Sequence, residues 1–114
     1  MKIDPREKLV FHSCLKGRWF VIGDYHYCII FTKNNIGTST LWCDRTANAK
    51  IPFYSENNDT KTAYKVAATG IPGDDIQLWV RCFGYHSNKC CSYNGTSIRT
   101  KKCNEKLPAL CQKL

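Results

Sequence analysis

The cysteines constrain the fold of this chain more strongly than any other feature of its sequence. Eight cysteines occur in 114 residues. A chain of this length forms one domain with a modest apolar core, and disulfide bonds supply much of the stability of such small domains. This cysteine content is unusual in a reducing compartment and typical of secreted and extracellular proteins. The sequence therefore predicts an extracellular or cell-surface domain that is stabilised by disulfides.

Two glycosylation patterns point to the same compartment. Residues 58–60 and 94–96 are Asn-x-Thr sequons, and we expect Asn58 and Asn94 to be glycosylated. No apolar run reaches the roughly 18–20 residues of a membrane-spanning helix.

The N-terminal residues differ in character from the rest of the chain. Residues 1–12 are polar, contain Pro5 and lack the apolar segment of a secretion signal. We expect them to be a flexible lead-in or stalk remnant. Residues 13–114 would then form the domain itself, the ectodomain of a type II membrane protein or a secreted protein.

Turn signals and apolar patterns predict an α+β fold with an antiparallel sheet. Residues 19–31, WFVIGDYHYCIIF, predict two strands joined by a turn at Gly23-Asp24. The segment TSTLWCDRTANA, from Thr38, predicts a helix of about three turns. A second helix is predicted to be capped near Ser55 or Asp59 and to end at Gly70.

The second half of the chain has the character of strands. The run IQLWVRCF, residues 76–83, predicts a central strand with a buried Trp79. CCSYNGTSI, residues 90–98, predicts a strand with its own Asn-Gly turn at 94–95. LPALCQKL, residues 107–114, predicts a terminal strand.

The net charge of +8 is densest in IRTKKCNEKL, where four cations face only Glu105: Arg99, Lys101, Lys102 and Lys106. Such a surface is either a solvated face or a site for an acidic partner, for example a sulfated or sialylated glycan. No stacking aromatics are interleaved with these cations, and no nucleic-acid-binding motif is present. We therefore expect no nucleic-acid partner.

The residue types that carry catalysis or bind metals are scattered. Cys82, Cys90 and Cys91 lie near His86, but their spacing does not fit the paired cysteine knuckles of structural zinc. The other histidines are His12 in the lead-in and His26 in a strand turn, so no acid–base pair is indicated. We expect no enzymatic activity, no metal site and no cofactor.

The order of elements and the cysteine positions together resemble the C-type lectin-like domain, in the long form of natural-killer-cell receptors and their ligands. Cys14-LKGR-Trp19 resembles the opening Cys and Trp of that family, and LWV at residues 78–80 is similar to the start of its WIGL strand. Cys43 lies in the first predicted helix, as the family's helix cysteine does. The spacing of three cysteines near the end is similar to the family's closing strands: Cys90, Cys103 and Cys111.

The resemblance implies three disulfides: Cys14–Cys28, Cys43–Cys111 and Cys90–Cys103. It leaves Cys82 and Cys91, which end one predicted strand and begin the next. A cross-link between them is geometrically easy, and a free or intermolecular thiol is the alternative.

The chain also departs from the family. Arg81 replaces the glycine of the WIGL strand, and Ala109 replaces an aromatic residue near the last cysteine. The long loop is shortened, and residues 81–91 contain no Asp or Glu, whereas calcium needs about six to eight oxygen ligands. Calcium-dependent sugar binding is therefore not expected.

The resemblance implies a calcium-independent module that binds a protein on another cell, as an immune receptor or ligand of the natural-killer type. A virus-encoded copy acting as an immune-evasion decoy fits such a compact, divergent chain. Relatives are often homodimers, and the sequence leaves this state open. The alternative is a basic domain that binds acidic glycans. Six residues have the side chains of interface anchors: Phe83, Tyr85, His86, Lys89, Tyr93 and Arg99.

Overall fold

The computed structural model describes residues 13–14, 17–71, 73, 75–82 and 89–113. The predicted lead-in, residues 1–12, lies outside them. The helices are α1 (Ile36–Ala47) and α2 (Asn58–Thr69). The strands are β1 (Ser13–Cys14), β2 (Gly17–Ile22), β3 (Tyr25–Asn34), β4 (Ala49–Lys50), β5 (Leu78–Val80), β6 (Lys89–Tyr93), β7 (Ile98–Lys102) and β8 (Leu107–Lys113).

The strands form one sheet in the order β1-β2-β3-β8-β5-β6-β7, and β4 pairs with β8 beside this path. The α+β class is confirmed, but the sheet is mixed and not antiparallel as predicted. β5 and β8 are parallel, with Trp79 opposite Ala109, whereas the other strand pairs are antiparallel. The reason is the path of the chain after β7. It does not pair with β7 again but crosses to the middle of the sheet and enters beside β5.

The sheet has an apolar core on each face. Successive side chains of a strand point to opposite faces. In β3, Tyr27 and Ile29 therefore pack on the side of α2, and Cys28 and Ile30 pack on the side of α1. We call these the α2 core and the α1 core. Because both faces are covered, residues 27–30 are buried without interruption.

Helix α1 begins earlier than its hydroxyl residues predict. Asn35 is its N-cap, and its side-chain oxygen accepts a hydrogen bond from the backbone N–H of Thr38 at 2.8 Å. The helix ends at Asn48, which has the left-handed conformation with φ of 52° that asparagine tolerates.

Helix α2 ends at Gly70 as predicted, but its N-cap is Asn57 rather than Ser55 or Asp59. The side-chain oxygen of Asn57 accepts from the backbone N–H of Thr60 at 2.8 Å and from the Thr60 hydroxyl at 3.1 Å. Ser55 lies in the preceding turn, where the N–H of Glu56 donates to Phe53 O. Asn57 is therefore the residue with the extended backbone that a cap requires.

Replacement of Asn57 by alanine is expected to destabilise the domain by about 1–2 kcal/mol, because two donors of Thr60 lose their acceptor. Urea unfolding followed by circular dichroism measures the change. Ser55→Ala is the matched control and should change stability by less than about 0.5 kcal/mol. Equal effects of the two substitutions would contradict the assignment of the cap.

Two large side chains connect the elements inside the cores. Trp79, predicted to be buried, is fully buried, and its indole N–H donates to Asn34 O at 2.7 Å. The hydroxyl of Tyr64 in α2 donates to Pro52 O at 2.8 Å, with Trp79 O as a second acceptor at 3.2 Å. Helix α2 is thereby fixed to both β5 and the segment that follows β4.

Buried tyrosines make the fold sensitive to alkaline pH. Burial raises the pKa of Tyr27 and, more strongly, that of Tyr64. Burial, together with the neighbouring Tyr54 phenol, raises the pKa of Tyr93 to about 12. A tyrosine whose folded pKa is raised stabilises the fold fully below its unfolded pKa of about 10. That stabilisation is lost as the pH rises from about 10 through the folded pKa.

We therefore expect the free energy of unfolding to fall between about pH 10 and 12. Urea titrations at several pH values measure it, and absorbance at about 295 nm reports phenolate formation. Part of the phenolate signal should appear together with unfolding. A free energy of unfolding that stays constant over this range would contradict the expectation.

Candidate binding surface

All eight cysteines are paired. The bridges are Cys14–Cys28, Cys43–Cys111, Cys82–Cys91 and Cys90–Cys103. Three of them are the pairs that the resemblance implies, and the fourth joins the two strand-end cysteines that sequence placement favours. Four disulfides in a small domain are typical of secreted and extracellular proteins.

Two of these bridges hold the hairpin of β6 and β7. The adjacent residues Cys90 and Cys91 point to opposite faces of β6. Cys91 lies in the α2 core and is bonded to Cys82 just after β5. Cys90 packs against the α1 core and is bonded to Cys103 just after β7. Strand β6 is therefore covalently tied to the chain on both of its sides.

Strand β7 is the last strand in the sheet order, and its side chains are largely exposed. The register places Lys102 opposite Lys89 on one face of the hairpin. Arg99 and Lys101 lie on the other face, opposite Ser92 and Cys90. We call the set Lys89, Arg99, Lys101 and Lys102 the cationic edge.

Glu105 partly neutralises the positive charge of the cationic edge. Lys101 Nζ lies 3.7 Å from a carboxylate oxygen of Glu105, which lies in the turn between β7 and β8. The Glu105 side chain remains well exposed, so this pair is weak and open to exchange. The cationic edge therefore keeps most of its positive charge available to solvent.

The six predicted contact residues fall into three groups. Lys89 and Arg99 are exposed in the cationic edge. Tyr93 is fully buried, stacks on Tyr54 with ring centroids 4.8 Å apart and donates its hydroxyl to Gly95 O at 2.8 Å. We therefore remove Tyr93 from the candidate contact residues, because its side chain belongs to the α2 core. Three of the six lie outside the described residues: Phe83, Tyr85 and His86.

The two sequons lie in different settings. Asn94 forms the turn of the β6–β7 hairpin, and its side-chain oxygen accepts from the N–H groups of Thr96 and Ser97 and from the Thr96 hydroxyl. Asn58 is exposed at the first position of α2, but Thr60 of its sequon is buried. Glycosylation of both asparagines stays a prediction.

A groove of about 430 Å³ lies beside the cationic edge and was not expected from the sequence. It brings Lys33 and Phe31 of β3 together with Lys101 and Lys106. Lys33 is far from the basic segment along the chain, and only the pairing of β3 with β8 places the two together. Asp75 and Glu105 also line the groove, so its net charge is modest.

A second pocket of about 740 Å³, lined by polar and charged residue types, lies at the other end of β8. His26 and Asp24 line it beside Glu56, whose carboxylate accepts from Lys50 Nζ at 2.7 Å. Within the ranges that the structure describes, no group of three or more His, Cys, Asp or Glu side chains is arranged to hold a metal ion. Within the same ranges, no helix has both the length and the apolar character to cross a membrane.

No protein-family model matches the chain, and no curated protein matches it significantly.

Proposed function

We propose that this chain is a calcium-independent, lectin-like ectodomain that binds a protein partner at the cell surface, an immune receptor or ligand of the natural-killer type. The observation that carries the proposal is the cationic edge: exposed cations on a hairpin that two disulfides hold in place. It is supported by the α+β class of the fold and by three disulfides that are those the resemblance implies: Cys14–Cys28, Cys43–Cys111 and Cys90–Cys103.

Rigidity favours a binding role for the cationic edge. Side chains lose conformational freedom when they bind, and a pre-organised backbone keeps this cost low. Arginine is enriched at protein interfaces because its planar guanidinium forms several hydrogen bonds and stacks on aromatic rings. Arg99 is the exposed arginine of the hairpin, and Lys89 directly follows the segment that carries Phe83 and Tyr85.

The proposed independence from calcium rests on the ligands that the ion requires. Calcium is bound mainly by carboxylate and carbonyl oxygens. Residues 81–91, which replace the family's long loop, contain no Asp or Glu and carry Arg81 and Lys89. Partner binding should therefore be unchanged when calcium is replaced by a chelator.

Replacement of Arg99 by alanine is expected to weaken partner binding at least about tenfold, which corresponds to about 1.4 kcal/mol. A panel of lectin-like natural-killer receptors and their ligands, immobilised for surface plasmon resonance, identifies the partner and measures the change. Lys65→Ala on the exposed side of α2 is the control and should have no effect. No binding to any panel member at micromolar concentration would contradict the proposal.

The groove supports a second candidate function, the binding of an acidic glycan. Lys33, Lys101 and Lys106 surround a concave site next to the exposed ring of Phe31. In this case Lys33→Ala should weaken retention on a heparin column, and retention should fall steeply with salt. Binding of a protein partner at the cationic edge should be unaffected by Lys33→Ala, because Lys33 lies on β3, outside that edge. The two candidate functions are therefore separated by the response to Lys33→Ala.

A further inference from the structure

We propose that the partner adds an extended acidic segment to the outer edge of β7, as a new antiparallel strand of the sheet. This inference rests on the proposed function and specifies the chemistry of the partner. It concerns the backbone of β7 as well as its side chains, and so it goes beyond a charged contact surface.

The backbone of β7 is the first argument. Among the described residues β7 pairs with β6 alone. In an antiparallel pair, alternate residues form the hydrogen bonds to the partner strand, and the N–H and C=O groups of the residues between them point away from it. Alternate residues of β7 therefore direct these groups away from β6. The pairing runs without a bulge over five positions, from Ile98 to Lys102, and the strand contains no proline. Proline and bulges are common ways of closing an edge, and neither is used here. A regular open edge is the surface to which extended peptides add.

The charged side chains of β7 indicate which kind of segment would bind along its edge. In an added strand, alternate side chains would face Arg99 and Lys101 on one side of the sheet. On the other side one residue would face Lys102, and another would face Ile98, an apolar side chain that is 41% exposed. The complementary segment therefore has acidic residues opposite the three cations and an apolar residue opposite Ile98. Read antiparallel to β7, its central run is Glu-Glu-Thr-Glu-Val.

The same charges disfavour a second copy of this chain as the occupant. Two β7 strands paired antiparallel about Thr100 would place Arg99 of each copy opposite Lys101 of the other. Like charges on neighbouring strands are destabilising, and edge lysines commonly prevent such pairing. A strand of opposite charge meets no such repulsion. The cationic edge thus excludes its own copies and admits an acidic partner.

The test uses a synthetic peptide of about ten residues with Glu-Glu-Thr-Glu-Val at its centre, titrated by fluorescence anisotropy. Two further peptides have the same sequence and N-methyl groups on alternate residues, one set odd and one set even. In an added strand only one set of amides faces β7. We expect one methylated peptide to bind as the parent does and the other to bind at least about tenfold more weakly. Equal binding of the two, or no binding of the parent at millimolar concentration, would overturn the proposal.

Two variants of the protein test the role of charge. Arg99→Ala should weaken binding of the parent peptide several-fold. Glu105→Gln should strengthen it about twofold, because Lys101 loses its competing anion. A Glu105→Gln variant that binds more weakly would count against the proposed position of the peptide. Lys65→Ala again serves as the control.

The results also separate this proposal from the function on which it rests. If a receptor from the panel binds and Arg99→Ala weakens it, but the two methylated peptides bind equally, strand addition is wrong and protein recognition stands. If the peptides discriminate and the panel yields no partner, the edge binds acidic strands and the assignment to natural-killer-type partners fails.

Discussion

Loss of the Cys43–Cys111 bridge is expected to destabilise the domain by about 4 kcal/mol in the loop-entropy description of disulfides. The bridge joins residues 68 positions apart, the longest separation among the four bonds, and it ties α1 to β8. Both cysteines are buried in the α1 core. A cross-link over a long separation restricts the unfolded chain most, so its removal allows the largest gain in unfolded-state entropy.

The double substitution Cys43→Ala and Cys111→Ala tests this expectation by urea unfolding under oxidising conditions. The matched control is Cys90→Ala with Cys103→Ala, whose bridge spans only 13 positions and should cost about 3 kcal/mol. A hairpin pair that costs as much as the long pair or more would show that loop entropy does not set the ranking. Non-reducing peptide mass spectrometry of the unaltered protein checks all four bonds directly.

Replacement of Trp79 by alanine is expected to cost about 3–5 kcal/mol, the usual range for a large aromatic residue in a core. Trp79 is fully buried, lies on β5 between β8 and β6, and donates its indole N–H to Asn34 O. Its removal leaves a cavity in the α1 core and takes away the indole donor of Asn34 O at the end of β3. Both effects act at the point where the parallel strand pair joins the two parts of the sheet.

Thermal and urea unfolding measure this cost, and near-ultraviolet circular dichroism reports on the packing that remains. Leu41 is a suitable control because it is a large apolar residue of α1 that is mostly exposed. Leu41→Ala should change stability by no more than about 0.5 kcal/mol. A Trp79 variant with wild-type stability would contradict the central place given to this side chain.

The elements that could be predicted from sequence are those with local signals. The Gly23-Asp24 turn separates two aromatic and β-branched runs, so β2, β3 and their hairpin follow directly. The parallel pairing of β5 and β8 has no such signal, because it depends on which strands meet after the chain has crossed the sheet. The cap of α2 was missed because Ser, Asn and Asp side chains cap similarly well, and only the backbone conformation selects Asn57.

The candidate surface also combines features that had a local sequence signal with features that had none. The exposure of Arg99 and Lys89 could be predicted because lysine and arginine side chains are mostly exposed. The burial of Tyr93 did have a signal. It stands two residues after Cys91, so in a strand it shares the face that the Cys82–Cys91 bridge turns inward. Lys33 had none, because its proximity to Lys101 exists only in the folded sheet.

The adjacent cysteines of β6 also lock the register of the strand. A slip of one residue would exchange the two faces of a strand and bring Cys90 to the side of Cys82 and Cys91 to the side of Cys103. The same slip would turn Tyr93 out of the core. The two native disulfides therefore require the native register of the hairpin, and the native register requires these two disulfides. The positions of the β7 cations depend on this register, because each cation lies opposite a residue of β6, the strand that the two bonds hold.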